Sequence, residues 1–84
     1  MVYPREVLNR LRWKEGESLR DAIIWYVHRG APGDVRRISG AEIVALGKSF
    51  FDTPEATIPY HRILKIEHKG MVLFLRNVGA GTLK

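Results

Sequence analysis

The stretch RILKIEHKGMVLFLR, residues 62–76, carries the clearest structural signal in this chain of 84 residues. Two largely aliphatic runs flank Lys69-Gly70, a short glycine-containing turn that is typical of antiparallel hairpins. The segment therefore predicts two β-strands joined by a tight turn.

The register of this hairpin predicts which side chains enter the core. A two-residue loop pairs Ile66 with Leu73, and it also pairs Leu64 with Leu75. We therefore expect one wholly apolar face, which includes Met71, to be buried. The opposite face is mixed and is predicted to be half-covered or functional; it carries His61, Ile63, Lys65, Glu67, Val72, Phe74 and Arg76.

The start of the chain predicts a helix. Pro4 stands where a first-turn proline is tolerated, and Gly16 is expected to end the helix. Trp13, just before that stop, is expected to seal the helix against the rest of the fold. An apolar stripe at helical spacing lies between them: Val7, Leu8 and Leu11.

Residues 22–29, AIIWYVHR, predict a strand because β-branched and aromatic residues are dense there. The spacing of the apolar residues also fits a helix, for which Ser18 and Asp21 resemble a capping box. Residues 30–34, GAPGD, predict a type II turn, and residues 35–38 can return as a short antiparallel strand.

Residues 39–46 fit two structures. Ser39-Gly40-Ala41-Glu42 can cap a short helix, or the segment can be a strand kinked at Gly40; we favour extended structure. Residues 49–51 are β-like, residues 52–55 indicate a turn, and residues 77–84 are expected to be a frayed tail. Four aromatic side chains are expected in the core: Trp25, Tyr26, Phe50 and Phe51.

The whole pattern predicts a single α+β domain over residues 1–84. One N-terminal helix is expected to pack on a curved antiparallel sheet of about five strands. A chain of this length has no room for a second domain and buries a thin core. A composition of 45% hydrophobic and 27% charged residues is that of an ordinary globular domain.

Composition also limits the function classes. There is no cysteine, so disulfides, thiolate catalysis and Cys-based zinc sites are excluded. The polar start of the chain does not resemble a signal peptide, and no apolar run approaches a membrane span, so we predict a cytoplasmic protein with no membrane partner. The net charge is +5, and nine of the fourteen basic residues are arginine, which favours a polyanionic partner. Solubility alone also accounts for a modest positive charge.

The hexapeptide Ile-Pro-Tyr-His-Arg-Ile, residues 58–63, stands at the entrance to the hairpin. Pro59 cannot donate to a sheet, so it indicates a strand start or an edge. Three versatile side chains follow: the ring of Tyr60 can stack, the imidazole of His61 can change its protonation and donate a hydrogen bond, and the guanidinium of Arg62 can bind in a bidentate manner. Such a set suits a phosphate or an RNA terminus. A purely structural interpretation stays open, in which Tyr60 packs, His61 bonds a carbonyl group and Arg62 forms a surface ion pair.

A second candidate is His28-Arg29-Gly30, before the glycine-rich turn. Backbone N–H groups of Gly30 and Gly33 can approach an anion that Arg29 neutralises, although a well-made hairpin turn explains the same residues. The three histidines lack metal-ligand spacing, so we predict no metal and no cofactor. His28, His61 and Lys65 are residue types that could run acid–base cleavage of RNA, but the sequence does not bring them together.

The hexapeptide at 58–63 resembles the hallmark of a family of small, mostly archaeal proteins, whose domain is named the RNA cyclic group end recognition domain. The similarity spans nearly the whole chain through individually weaker matches: Leu8 to Trp13, Arg29-Gly30 with Pro32-Gly33-Asp34, Glu42-Ile43, and Phe50-Phe51. The resemblance implies a stand-alone copy of a module that elsewhere accompanies RNA-processing domains. It implies binding of RNA ends that carry a 2′,3′-cyclic phosphate and a protein partner in RNA processing or repair. It supplies no catalytic residue to carry over to this sequence.

On this basis we predict a non-catalytic RNA-binding module. Arg62 and Arg29 are expected to neutralise phosphate, His61 to donate a hydrogen bond to it, and Tyr60 to stack or orient. Three further residues are expected to extend the surface along the exposed hairpin face: Lys65, Phe74 and Arg76. The strand register places His61 on the mixed face. It turns Arg62 toward the core, where it can serve as a buried anchor, unless Pro59 rotates the strand.

Two other classes of function stay open. One is a small phosphoesterase or nuclease that uses His61 as acid or base. The other is a protein-interaction module that docks a partner on Phe74 and Val72.

Overall fold

Seven strands and one helix make up the fold, and the computed structural model describes them over residues 3–13 and 18–76. The elements are α1 (Pro4–Trp13), β1 (Ala22–Val27), β2 (Val35–Ser39), β3 (Ala45–Leu46), β4 (Phe50–Asp52), β5 (Thr57–Pro59), β6 (Ile63–His68) and β7 (Met71–Leu75). A four-stranded antiparallel sheet has the order β2-β1-β6-β7, and a three-stranded antiparallel sheet has the order β3-β4-β5. The α+β class and the N-terminal helix are confirmed; the strands divide between two sheets instead of forming one sheet of about five.

Helix α1 packs through its predicted stripe, since Val7, Leu8 and Leu11 are all buried. Trp13 does not seal the helix, because its side chain is 74% exposed. The reason is helical geometry: two residues beyond Leu11 is a rotation of about 200°, which turns Trp13 away from the core. The predicted stop at Gly16 lies outside the described residues.

The predicted hairpin forms, but its register is interrupted on both sides of β6. Against β1, Trp25 faces Lys65 and Tyr26 faces Ile63, so Leu64 is an extra residue. A single extra residue of this kind is a β-bulge. It explains why Ile63 and Ile66 are both fully buried, although strict alternation would place residues three apart on opposite faces.

A second bulge changes the pairing of β6 with β7. Ile66 faces Phe74 and Glu67 faces Val72, so Leu73 is the extra residue and the predicted pairings of Leu73 and Leu75 are wrong. A slip of one residue moves every following side chain to the other face.

The slip also corrects the predicted core of the hairpin. Leu75 is 70% exposed, although it was expected to be buried. Met71 is 66% exposed against the same expectation, although it precedes the slip and pairs with His68 in the predicted register. Phe74 instead packs against the core. The mixed face is therefore not continuous: Ile63 is buried in the core, whereas Val72 remains exposed.

Strand β1 alternates between buried and half-buried residues, as expected of a strand with one core face. Of the four aromatic residues predicted in the core, Tyr26 and Phe51 are buried, Trp25 is half-buried and Phe50 is 48% exposed. The proposed cap at Ser18 closes a single turn of 3₁₀-helix, by accepting a hydrogen bond from the Arg20 backbone.

Residues 39–46 combine the two predicted alternatives. Ser39 and Glu42 form a capping box, but it closes only the 3₁₀ turn Gly40–Glu42 before β3 begins. The predicted turn before β2 is present, with positive φ at Gly33 and at Asp34. The predicted frayed tail, residues 77–84, lies outside the described residues.

The buried residues of the helix and both sheets form one cluster, which includes Leu8, Ile24 and Phe51. Gly40 is buried beside this cluster, and a Cβ at that position would overlap the carbonyl oxygen of Leu19. The close approach joins two 3₁₀ turns, and only glycine leaves room for it.

Replacing Gly40 with Ala should lower the free energy of unfolding by about 1–3 kcal/mol, because the backbone of the Leu19 turn must move away. Chemical denaturation followed by circular dichroism measures the change. Ala41→Ser is the matched control in the same turn; its side chain is exposed, so the effect should stay within about 0.5 kcal/mol. Equal stability of Gly40→Ala and the wild type would contradict the close packing described here.

Candidate nucleic-acid interface

The hexapeptide at 58–63 connects the two sheets. Ile58 and Pro59 end β5, residues Tyr60–Arg62 form a 3₁₀ turn, and Ile63 opens β6. Pro59 lies on an edge strand, where its missing N–H costs no hydrogen bond. Because a 3₁₀ turn has three residues per turn, its three successive side chains point in three different directions.

Tyr60 points inward. Its side chain is buried, its ring lies 5.9 Å from the ring of Phe51, and its hydroxyl donates to the Gly47 carbonyl at 2.8 Å. Its backbone N–H donates to the Ser49 carbonyl at 3.1 Å. Burial raises the pKa of the Tyr60 phenol, so the group stays a neutral donor. Of its two predicted roles, this position suits orienting the turn and leaves no ring face open for a base.

Arg76 holds the other side of the turn. Its Nε donates to the Ile63 carbonyl at 2.8 Å, and its Nη2 donates to the Tyr60 carbonyl at 3.4 Å. Its backbone N–H donates to the Leu64 carbonyl at 2.8 Å. A guanidinium group has five N–H donors, so these bonds leave donors for a ligand. Arg76 thus fixes the motif and also faces solvent beside it.

His61 and Arg76 line a cleft of about 410 Å³, called here the His61 cleft. It lies between the start of α1 and the loop before β4, and its lining is Tyr3, Pro4, Arg5, Glu6, Lys48, Ser49, Tyr60, His61 and Arg76. Three permanent cations and an imidazole thus face a single carboxylate. Such an excess of positive charge favours an anionic ligand.

Arg62 lines a different cleft of about 330 Å³, called here the Arg62 cleft. Its lining comes from β1, β2 and the β4–β5 loop: Tyr26, His28, Arg36, Ile38, Glu42, Thr53, Glu55, Ala56, Thr57, Ile58 and Arg62. Arg36 is paired with Glu55 at 2.9 Å, and this hydrogen bond raises the pKa of the Arg36 guanidinium. Two carboxylates balance two guanidinium groups here, so this cleft is far less cationic than the other.

The predicted site residues do not converge on one pocket. His61 and Arg62 are adjacent in sequence but line different clefts, and Arg29 lines neither. Lys65 forms an ion pair with Glu67 at 3.0 Å and lies 4.6 Å from the centre of the Trp25 ring.

Arg62 is exposed, so the prediction of a buried anchor is wrong. The prediction applied strand alternation to residue 62, but the 3₁₀ turn extends through that residue and strand geometry begins only at Ile63. His61 is exposed, as expected from a residue available to a ligand.

The turn before β2 is held by its own carboxylate. The Gly30 backbone N–H donates to Asp34 Oδ1 at 3.4 Å, and the His28 backbone N–H donates to the Asp34 carbonyl at 2.9 Å. An anion at Gly30 would have to compete with that carboxylate. The geometry therefore agrees better with a hairpin turn than with an anion site.

Sequence reasoning missed Arg5 and Lys48, which complete the His61 cleft. Both are ordinary surface cations in the sequence and belong to no motif. They reach the site only because α1 and the loop before β4 pack on either side of the Tyr60–Arg62 turn. Positive charge was the only signal that could have found them.

Other candidate features are less informative. Among residues 3–13 and 18–76, no group of three or more His, Asp or Glu side chains is placed to hold a metal ion. His28 and His61 line different clefts, and Lys65 lines neither of them. No helix in the described part of the chain is long and apolar enough to cross a membrane.

Fold and cleft together define a small, basic α+β domain with a cationic cleft beside the 3₁₀ turn of the hexapeptide. The family described as the MJ1316 RNA cyclic group end recognition domain matches residues 1–76, and the chain belongs to it. The resemblance first seen in the hexapeptide is therefore confirmed.

Relatives in archaea cover most of the chain. A UPF0248 protein of Methanococcus vannielii is 42% identical over 64 residues, which are 76% of this chain and 77% of the relative. A UPF0248 protein of Thermococcus onnurineus is 43% identical over 65 residues, 77% and 74% of the two chains. One from Thermococcus sibiricus is 30% identical over 79 residues, 94% and 90% of the two chains. No solved structure matches the chain.

Replacing Tyr60 with Phe should lower the free energy of unfolding by about 1 kcal/mol near neutral pH, because the Gly47 carbonyl loses its donor. The pKa of Tyr60 is raised in the folded state, so its contribution is fully present below about pH 10 and is lost as pH rises through the folded pKa. The stability difference between wild type and variant should therefore shrink in alkaline solution.

Urea unfolding at a series of pH values measures this difference. Tyr3→Phe is the control, since the Tyr3 side chain is 58% exposed and should give no comparable effect. A difference for Tyr60→Phe that stays constant up to high pH would rule out the phenol as its source.

Proposed function

We propose that this domain binds the ends of single-stranded RNA through a terminal phosphate, including the 2′,3′-cyclic phosphate, in the His61 cleft. The observation that carries the proposal is the charge of that cleft. Arg5, Lys48 and Arg76 approach one space together with His61, and Glu6 is the only acid among the lining residues. The protein is expected to act in the cytoplasm alongside other RNA-processing proteins.

The cleft has the chemistry that a terminal phosphate requires. Guanidinium groups suit phosphate oxygens, and an ammonium group adds a compact charge. His61 adds a donor, and the Ser49 hydroxyl lies in the same lining. A volume of about 410 Å³ lies within the usual range for small-ligand sites, so the cleft can take a nucleotide end.

The family description supports the choice of a cyclic end, since it names RNA cyclic group end recognition. The two forms of phosphate differ physically. A cyclic phosphate is a diester with one negative charge, whereas a 3′-phosphate is a monoester with nearly two. A cleft that binds through charge alone would prefer the 3′-phosphate. A preference for the cyclic form would therefore indicate that the cleft recognises the ring of the cyclic phosphate.

Three RNA oligonucleotides of one sequence test the proposal: one with a 2′,3′-cyclic phosphate, one with a 3′-phosphate and one with a 3′-hydroxyl. Loss of the terminal phosphate should weaken binding about tenfold or more, because the charge-assisted hydrogen bonds between that phosphate and the cleft are lost. Titration by fluorescence anisotropy at two salt concentrations measures the affinities. Equal affinity for all three ends would contradict the proposal of end recognition.

Lys48→Gln should remove most of the preference for phosphate ends, whereas Lys69→Gln should retain it. The two changes remove the same charge, but Lys69 lies in the β6–β7 turn and does not line the cleft. The same titrations should include analysis of the RNA products. Turnover that His61→Ala abolishes would favour the alternative of a phosphoesterase or nuclease.

A further inference from the structure

We propose that the Arg62 cleft binds the nucleotide that precedes the RNA end, with Arg62 on its phosphodiester. This inference rests on the proposed function and extends it to a second subsite. The observation behind it is that one 3₁₀ turn separates two clefts, with His61 in one and Arg62 in the other. An RNA strand that leaves the His61 cleft past that turn reaches the Arg62 cleft.

Arg62 is the guanidinium of its cleft that is available for a ligand. Its side chain is exposed, and it makes no ion pair or hydrogen bond with any residue in 3–13 or 18–76. Arg36 is already paired with Glu55. A planar guanidinium group binds two oxygens of a phosphodiester in a bidentate manner.

The other polar groups of the cleft are largely occupied. Glu42 accepts a hydrogen bond from the Ser39 backbone at 3.3 Å. Thr53 donates its hydroxyl to the Ala56 carbonyl at 3.0 Å, and Thr57 donates to Asp52 at 2.7 Å. Arg62, His28 and the Tyr26 hydroxyl are the side-chain groups that remain for recognition.

His28 is suited to lie beside a base. It is half-buried, and its ring lies edge-on to Tyr26 at 6.1 Å between ring centres. This contact fixes a planar ring at the cleft wall. Unpaired bases in RNA commonly stack on rings and on arginine planes. A base between His28 and Arg62 would have both kinds of surface.

Charge assigns the two clefts to different parts of one ligand. The His61 cleft has a clear excess of positive charge, which suits a terminal phosphate. The Arg62 cleft is nearly balanced, which suits a singly charged phosphodiester with a neutral base. The two clefts are lined by adjacent residues of one 3₁₀ turn, His61 in the first and Arg62 in the second.

The two subsites can be tested separately with two ligands. One is a nucleoside 2′,3′-cyclic monophosphate, and the other is a dinucleotide that ends in the same cyclic phosphate. Arg62→Gln should weaken binding of the dinucleotide about tenfold and leave the mononucleotide unchanged. His61→Ala should weaken both. The slope of log affinity against log salt for the dinucleotide should also fall by about 0.7 in Arg62→Gln, the value for one phosphate contact on a single strand.

Arg37→Gln is the matched control. Arg37 is exposed on β2 opposite Trp25, so the substitution removes an equal charge outside both clefts. Amide chemical shifts provide a second readout, since the dinucleotide should perturb His28 and Arg62 whereas the mononucleotide should perturb only the His61 cleft.

The outcomes separate the two proposals. If both ligands bind and Arg62→Gln weakens them equally, or weakens neither, the second subsite is overturned and end binding stands. If neither ligand binds at low salt, the His61 cleft is not an RNA-end site and both proposals fail. A loss confined to the dinucleotide in Arg62→Gln, with Arg37→Gln like the wild type, supports the second subsite.

Discussion

The extra residue at Leu64 is the constraint on which the rest of the structure depends. Strand β6 is central in the larger sheet, so its side chains determine how β1, β6 and β7 share one core. The bulge allows both Ile63 and Ile66 to be buried, and it sets the orientation of the chain just before β6. The 3₁₀ turn of the hexapeptide lies there, between the end of one sheet and the start of the other.

The sequence predicts the parts of this fold that rest on local patterns. The helix follows from the stripe of Val7, Leu8 and Leu11, and β1 from its dense β-branched and aromatic residues. The C-terminal hairpin follows from Lys69-Gly70 between two aliphatic runs. These signals involve residues close in the chain, and tertiary packing did not override them.

The two bulges could not be predicted, because an aliphatic run such as ILKI satisfies more than one register. Packing against β1 decides between the registers, and that information lies about forty residues away in the sequence. The error placed Leu75 in the core, and the assumption of an extended chain placed Arg62 there too.

The candidate site could likewise be predicted from the sequence only where it rests on a local pattern. The hexapeptide marked the turn beside the candidate cleft, because a proline before three polar or aromatic residues is a local signal. It did not reveal that His61 and Arg62 diverge, nor that Arg5 and Lys48 approach His61. Those positions are set by the packing of α1 and of the loop before β4, which no local pattern encodes.

The two hydrogen bonds of Tyr60 have a consequence for any ligand of the His61 cleft. They bind the backbone carbonyls of Gly47 and Ser49, on either side of Lys48. The ammonium group of Lys48 therefore sits on a side chain whose anchor point is already immobilised before binding. Association then has to restrict only side-chain torsions, so little conformational entropy is lost. For a ligand bound in the His61 cleft, a preorganised anchor of this kind would add geometric selectivity to the selectivity that charge provides.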